Sequence, residues 1–192
     1  MRRWSTVLAA ACVAVLAASC ASEADTGQTT DDVLDTDWAV ACAPGEVDAV
    51  IDNIGDIELA CLADGADVPV GVRDGQPLLI AIWASWCPPC HEEAPHVEAF
   101  AQLAQGQVAV LGVDSEDVLS HGRAFAGEYD WTFPSVFDPS GQVRKSLGVT
   151  GVPGFAFVDE SGSVVHLIGQ QGITTSDLIE AANAHLDVDL KE

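Results

Sequence analysis

The stretch "AIWASWCPPCHEEAP", residues 81–95, joins an apolar run to a C-x-x-C motif that is followed by a histidine. C-x-x-C-H is the sequence to which c-type haem is attached, whereas C-x-x-C between a strand and a helix is how a redox-active dithiol is built. The only methionine is the initiator, so no methionine could be a second haem ligand. A zinc site would need a second Cys or His pair at ligand spacing, and the remaining cysteines are widely spaced.

The sequence on either side of Cys87 and Cys90 favours the dithiol. The run "PLLIAIW", residues 77–83, is typical of a strand buried on both faces. Helix is expected from Pro88 to Gly106, with prolines and acidic residues in the first turn. This places Cys87 just ahead of a helix N-terminus, where free N–H groups favour a thiolate. Cys90 is expected one turn deeper and more buried.

The rest of the chain alternates strand and helix patterns. A second buried strand is predicted at residues 108–114, a helix at 116–129 and a short strand within 133–141. Residues 155–169 predict a hairpin, and a Thr/Ser cap begins a last helix at residue 174. Residues 38–75 are expected to form an N-terminal extension with short extended pieces. The order predicts an α/β fold with a mixed central sheet flanked by helices.

The N-terminus resembles an export signal. Two arginines precede a short apolar run that ends in "LAASC", which predicts a signal peptide over residues 1–19. Small residues before Cys20 resemble a bacterial lipobox, so Cys20 is the expected lipidation site, with plain secretion as the alternative. Residues 20–37 are polar and acidic and predict a flexible tether, which leaves residues 38–192 as the folded domain.

Charge excludes some partners. The whole chain carries a formal net charge of −23. Nucleic acid is therefore not an expected partner, because phosphate binding needs clustered Lys and Arg. Electrostatic adhesion to anionic lipid is excluded on the same ground, so contact with the membrane would depend on the lipid anchor.

Four cysteines remain once Cys12 has left with the signal and Cys20 carries lipid, and an even number in an exported chain indicates disulfides. Cys87 and Cys90 form their own unit, which leaves Cys42 and Cys61 as a structural disulfide. The alternative is that these two are small buried hydrophobic residues.

The motif "WASWCPPC", together with "FPSVFDPSG" and "TGVPGFAFVDESG", resembles the TlpA/ResA-like (DsbE-like) membrane-anchored thioredoxins. The resemblance implies a thioredoxin fold and a thiol–disulfide oxidoreductase without cofactor or metal. It implies that Cys87 is the nucleophile and that Cys90 resolves the mixed disulfide. Pro153 matches the cis-proline beside the dithiol, and Pro95 matches the proline that kinks the active-site helix.

The resemblance also implies finer roles. Glu93 matches a glutamate that moves protons to or from the thiols, although charge complementation at the helix start is the alternative for Glu92 and Glu93. Substrate contact is expected at Trp86, Val152 and Gly154. Two departures from the family pattern are visible in the sequence. Ala81 replaces a buried Asp of thioredoxin, and Gly154 replaces the usual Thr, which would loosen the substrate edge.

The implied partners are protein thiols and disulfides and a membrane thiol–disulfide electron donor or acceptor. ResA-like proteins are reductants that keep apocytochrome c cysteines open, whereas other exported relatives are oxidants. Pro88 and Pro89 withhold amide donors from Cys87 and the surroundings are acidic, so we expect a reductant. A peroxiredoxin is excluded because neither cysteine of the motif has Thr or Ser three positions before it. A non-enzymatic lipoprotein remains as an alternative.

Overall fold

The computed structural model describes residues 39–42 and 49–192. The predicted signal peptide, the lipidation site Cys20 and the tether up to residue 37 lie outside the described residues. Within the described residues, no helix combines the length and the apolar character needed to cross a membrane.

Nine strands and four helices occur in the part of the chain that the structure describes. The strands are β1 (Ala49–Val50), β2 (Glu58–Cys61), β3 (Asp67–Pro69), β4 (Val72–Arg73), β5 (Leu78–Trp83), β6 (Ala109–Ser115), β7 (Ser135–Asp138), β8 (Gly154–Val158) and β9 (Val164–Ile168). The helices are α1 (Pro88–Leu103), α2 (Leu119–Glu128), α3 (Gln142–Ser146) and α4 (Thr175–His185).

The predicted mixed sheet is confirmed. Its strand order is β3-β2-β7-β6-β5-β8-β9, with β5, β6 and β7 parallel and the outer pairs antiparallel. The predicted hairpin is β8–β9, and β1 pairs with β4 in a separate two-stranded sheet. The thioredoxin-like α/β fold with an N-terminal region before the domain is thus observed.

Strand β5 separates the two halves of the core, because alternate side chains of a strand point to opposite faces. Leu79, Ala81 and Trp83 face the side that is filled by residues of α1, α2 and α4. Leu78, Ile80 and Ile82 face the side that is filled by the N-terminal segment and α3. Both faces are therefore dry, which explains the continuous apolar run. The carboxyl end of β5 delivers the chain to the C-x-x-C motif.

Candidate active site

The loop after β5 leads into the N-terminus of α1. Cys87 is the N-cap residue, with φ −94° and ψ 107°, and Pro88 and Pro89 occupy the first two helical positions. The N–H of Cys90 donates to the sulfur of Cys87 at 3.3 Å. The two sulfurs are bonded at 2.12 Å, so the structure is the oxidised form. Cys87 therefore lies where the helix dipole and a free N–H group both stabilise negative charge on sulfur.

The expected difference in burial between the two cysteines is wrong. Cys87 is 2% exposed and Cys90 3% exposed. The exposed residue is Trp86, at 60%, whose indole N–H donates to the backbone oxygen of Glu116 at 3.1 Å. The first turn of α1 also holds no acidic residue, because Glu92 and Glu93 begin only in the second turn.

Pro153 lies beside the cysteines. The Val152–Pro153 peptide bond is cis. Pro153 and Cys90 line one small internal cavity together with Ala81 and Glu93. The alanine that replaces the buried Asp of thioredoxin thus leaves an apolar wall at this point, and Glu93 is the carboxyl that borders the same space.

Gly154 packs closely against a valine, and the looser substrate edge expected of it stays a prediction. A Cβ at Gly154 would lie 2.4 Å from Cγ1 of Val149 and 3.3 Å from the backbone oxygen of Gly151. Both the residue and its neighbour Pro153 are buried. A side chain at this position would therefore have to displace Val149, which packs directly on the backbone that follows the cis-proline.

Glu93 is buried in spite of its charge, at 2% exposure. Its Oε1 accepts the backbone N–H groups of Gly172 (2.7 Å) and Ile173 (3.1 Å), which precede α4. Its Oε2 has no hydrogen-bond partner in the part of the chain that the structure describes. Desolvation raises the pKa of Glu93, and the two backbone hydrogen bonds only partly offset that effect. Charge complementation at the helix start does not describe this carboxyl, whereas Glu92 is exposed.

Sequence reasoning missed the contacts that hold the loop before Cys87. Asp117, in the connection after β6, accepts the backbone N–H of Ser85 and its hydroxyl, the latter at 3.0 Å. His91 Nε2 lies 2.8 Å from the backbone oxygen of Ser85. The available signal was topological: β5 and β6 are parallel neighbours, so the residues after their carboxyl ends meet at one edge of the sheet.

The other cysteine pair lies away from the C-x-x-C motif. Cys42 and Cys61 are bonded at 2.11 Å, with their Cα atoms 5.7 Å apart. Cys61 belongs to β2 and is fully buried. Cys42 is the last residue of the short described segment 39–42. The backbone N–H of Cys42 also donates to the sulfur of Cys61 at 3.1 Å.

Residues 49–184 match the Redoxin family model. The chain belongs to the Redoxin family. Thiol-disulfide oxidoreductase ResA of Bacillus thuringiensis subsp. konkukian is 27% identical over 118 residues, which are 61% of this chain and 67% of that protein. Among solved structures, that of MTB dsbF is 28% identical with a TM-score of 0.60, covering 70% of this chain and 98% of that one. The exposed lipoprotein thioredoxin of Streptococcus pneumoniae strain TIGR4 is 25% identical with a TM-score of 0.56, covering 67% and 98%.

The resemblance drawn from the motifs is thereby confirmed. This Redoxin protein is a thiol–disulfide oxidoreductase whose C-x-x-C pair is Cys87 and Cys90. Within residues 39–42 and 49–192, no group of three or more His, Cys, Asp or Glu side chains is arranged to hold a metal ion.

Proposed function

We propose that the Cys87 thiolate attacks a disulfide in an exported protein and that Cys90 resolves the resulting mixed disulfide. In the first step Cys87 bonds to one substrate sulfur and the other leaves as a thiolate. In the second step the Cys90 thiolate attacks the Cys87 sulfur and expels the remaining substrate thiolate. The products are a reduced substrate and the Cys87–Cys90 disulfide. The observation that carries the proposal is the position of Cys87 as N-cap of α1, with the N–H of Cys90 directed at its sulfur.

Glu93 takes the proton of the Cys90 thiol in this scheme. Its Oε1 is held by two backbone N–H groups, its Oε2 has no partner among the described residues, and Glu93 lines the cavity that Cys90 and Pro153 also line. A carboxyl with a raised pKa is closer to the pH at which it must exchange protons with a thiol. Ala81 provides no competing base on the opposite wall.

The substrate backbone lies against the segment before the cis-proline. Val152 is half-buried beside Pro153, and Trp86 offers an exposed apolar surface ahead of Cys87. Gly154 keeps the backbone in place through its contact with Val149. Together these residues give an extended polypeptide one flat apolar contact on either side of the dithiol.

Electron flow runs from this protein to its substrate. Pro88 and Pro89 have no N–H, so the first helical positions contribute no donors of their own to the Cys87 sulfur. The Cys87 thiolate therefore has the Cys90 N–H but no N–H from the two prolines, and a less stabilised thiolate favours the disulfide form and gives a reducing couple. The resemblance to ResA-like proteins makes the paired cysteines of apocytochrome c the first substrate to test. A membrane thiol–disulfide protein would return electrons to Cys87 and Cys90.

The protein acts outside the cytoplasm and is anchored through Cys20. Support comes from the signal pattern of residues 1–19, the acidic tether of residues 20–37 and the similarity to an exposed lipoprotein thioredoxin. The folded domain is assigned to residues 38–192. Detergent partitioning of the native protein and of a Cys20→Ser variant tests the anchor, since only the native form should enter the detergent phase. Release of both forms into the medium would leave plain secretion.

Equilibration of the Cys87–Cys90 couple with glutathione or dithiothreitol tests the direction. We expect a potential well below about −200 mV, as in reducing members of this fold. A potential near about −120 mV would make the protein an oxidant that puts disulfides into exported proteins.

A further inference from the structure

Asp114, in β6, is a buried acid without a donor. Its side chain is 0% exposed, and neither carboxyl oxygen accepts a hydrogen bond from an N–H or hydroxyl group of the described residues. It packs directly on α2, because a Cβ added to Gly122 would lie 1.8 Å from Asp114 Oδ2. A buried carboxylate with no donor is costly, so the neutral form is favoured.

The charged groups that face Asp114 are also acidic. They are Asp117 from the connection after β6 and Asp138 from β7, while β5 places Trp83 beside Asp114 and α2 places Gly122 against it. Burial, followed by the charges of Asp117 and Asp138, raises the pKa of Asp114 to about 9. A side-chain hydrogen bond with Asp117 is among the causes that raise the pKa of Asp114, and the same interaction lowers the pKa of Asp117. Two carboxyls can hydrogen-bond only when one of them carries a proton, and the buried one, Asp114, is the donor.

Asp117 keeps its charge and accepts from the other side. Desolvation raises the pKa of Asp117, but hydrogen bonds from Ser85, from the N–H of Val118 and from Asp114 lower it below its ordinary value. The Ser85 hydroxyl donates to Asp117 Oδ1 at 3.0 Å, and the Val118 N–H donates to the same oxygen at 2.6 Å. Asp117 therefore connects a buried protonated acid to the loop that carries the nucleophile.

The opposite side of Ser85 is fixed by His91. A carbonyl oxygen can only accept, so His91 Nε2 carries the hydrogen that binds the Ser85 oxygen at 2.8 Å. In the neutral ring Nδ1 then accepts from the hydroxyl of Tyr129 at 2.9 Å. The N–H, the hydroxyl and the carbonyl of Ser85 are thus all held, two residues before Cys87.

We propose that Asp114 and Asp117 share one proton and that this acid pair, with His91, clamps Ser85 and fixes the backbone that leads into Cys87. These are positioning residues that act through Ser85 and do not touch substrate. The inference rests on the proposed function of Cys87 as nucleophile and deepens it. When the shared proton is lost, two adjacent carboxylates repel each other and the clamp on Ser85 opens.

The test compares wild type with Asp114→Asn, which keeps a donor toward Asp117, and Asp114→Ala, which removes it. The control is Asp159→Asn, because Asp159 holds the N–H and hydroxyl of Ser161 in the β8–β9 turn by the same pair of contacts. The readout is the rate of Cys87 alkylation in the reduced protein against pH, mapped by peptide mass. It needs no disulfide substrate, so it separates failure of the clamp from failure of the proposed function.

We expect the wild-type profile to show, beyond the thiol titration, a second change near pH 9. Asp159→Asn should keep this second change, and Asp114→Asn should lack it while matching the wild-type rate at neutral pH. In Asp114→Ala the rate of Cys87 alkylation at neutral pH should be about tenfold lower than in wild type, because a small misplacement of a reacting group strongly lowers its rate. Identical profiles in wild type and Asp114→Asn would overturn the proposal, as would a wild-type rate at neutral pH in Asp114→Ala.

Infrared spectroscopy keeps the proposal testable if Asp114→Ala does not fold. At neutral pH the difference spectrum between wild type and Asp114→Asn should contain the C=O band of a protonated carboxyl. A carboxylate band in its place would show that Asp114 is ionised and would contradict the shared proton.

Discussion

The two disulfides have similar Cα separations, 5.7 Å for Cys42–Cys61 and 5.3 Å for Cys87–Cys90, but different surroundings. Cys61 lies in the sheet, in a strand that pairs with β3 and β7. Besides the strand ladder, Cys61 is hydrogen-bonded in a turn with Gly65 and Ala66, and its sulfur accepts the backbone N–H of Cys42. Cys87 lies at a helix N-terminus, and a cavity beside Cys90 borders on the carboxyl of Glu93.

The residues around each disulfide, and not its Cα separation, distinguish a redox-active cysteine pair from a structural one. At Cys42–Cys61 the sulfur of Cys61 accepts one backbone N–H, from Cys42, and lies on a strand and not at a helix N-terminus, while the bond closes a segment of 19 residues. Around Cys87–Cys90 an N–H group, a helix dipole and a buried base are available, while the bond spans only three positions. We therefore expect the first pair to contribute mainly to stability and the second mainly to chemistry.

The largest effect expected from this comparison is on activity. Cys87→Ser should reduce insulin at no more than the uncatalysed rate, because the attacking sulfur is gone. The double variant Cys42→Ser/Cys61→Ser should retain the activity when it is measured below its unfolding temperature. Activity in Cys87→Ser, or its loss in a folded double variant, would reverse the two roles.

The free energy of unfolding should depend more on the Cys42–Cys61 disulfide than on the Cys87–Cys90 disulfide, the reverse of their effects on activity. In the chain-entropy model, the 19-residue separation of Cys42 and Cys61 gives about 3 kcal/mol, against about 2 kcal/mol for the short Cys87–Cys90 loop. Urea unfolding of the two Cys→Ser double variants measures this difference. A larger loss of unfolding free energy in the Cys87/Cys90 variant would contradict the structural assignment of Cys42–Cys61.

Replacing the buried carboxyl next to Cys90 should slow turnover without abolishing it. Glu93→Gln keeps the shape of the side chain but cannot accept a proton, so the rate of mixed-disulfide resolution should fall by about 10²-fold. Because burial raises the pKa of Glu93, the wild-type rate should increase with pH as that carboxyl ionises, and the variant should lack this limb. Glu92→Gln, at the exposed neighbouring position, is the control and should match wild type.

The raised pKa of Asp114 predicts that the free energy of unfolding depends on pH, whereas the bonded Cys42 and Cys61 do not titrate. The folded pKa of Asp114 is about 9 against an ordinary value of 3.8, so the folded state keeps a proton that the unfolded state releases. This group therefore lowers stability as pH rises between those values, by up to about 1.4 kcal/mol per pH unit. Asp114→Asn should remove the slope, so its advantage over wild type in unfolding free energy should grow with pH. A constant difference would show that Asp114 is not protonated.

The smallest expected effect concerns the loop that holds Glu93. Gly172 has φ +82°, and a Cβ there would meet no atom within 4 Å. Gly172→Ala should therefore cost about 1 kcal/mol through backbone strain alone and not through a clash. Its N–H donates to Glu93, so the pH dependence of activity should shift slightly with it. An unchanged thermal stability would show that the loop adapts freely.

Most of the fold could be predicted from local patterns, and the misses have a common cause. Strands β5 and β6, the β8–β9 hairpin and helices α1, α2 and α4 carry long apolar or capping signals. Strands β3 and β4 and helix α3 have two to five residues, too few for a period to show. Asp138 holds the N-terminus of α3, because it accepts the N–H groups of Gln142 and Val143. No spacing rule predicts this contact from the sequence.

The same limit applies to the candidate site. Cys87, Cys90 and the prolines between them form a local motif and could be found in the sequence. The partners of Glu93 lie 79 and 80 positions away, and Asp117 lies 32 positions from Ser85. Only the parallel register of β5 and β6, which sets Trp83 opposite Asp114, brings the acid pair behind the active-site loop.

The most direct test of the central claim is to trap the mixed disulfide. Cys90→Ser protein, reduced and then incubated with a disulfide-containing protein substrate, should accumulate a covalent complex, because resolution is blocked. Peptide mapping by mass spectrometry under non-reducing conditions identifies the linked cysteine. We expect a disulfide between Cys87 and the substrate, with Cys42 and Cys61 still bonded to each other. A complex linked through Cys42 or Cys61 would contradict the role of Cys87 as nucleophile. The absence of any complex from folded, reduced Cys90→Ser protein would contradict it as well.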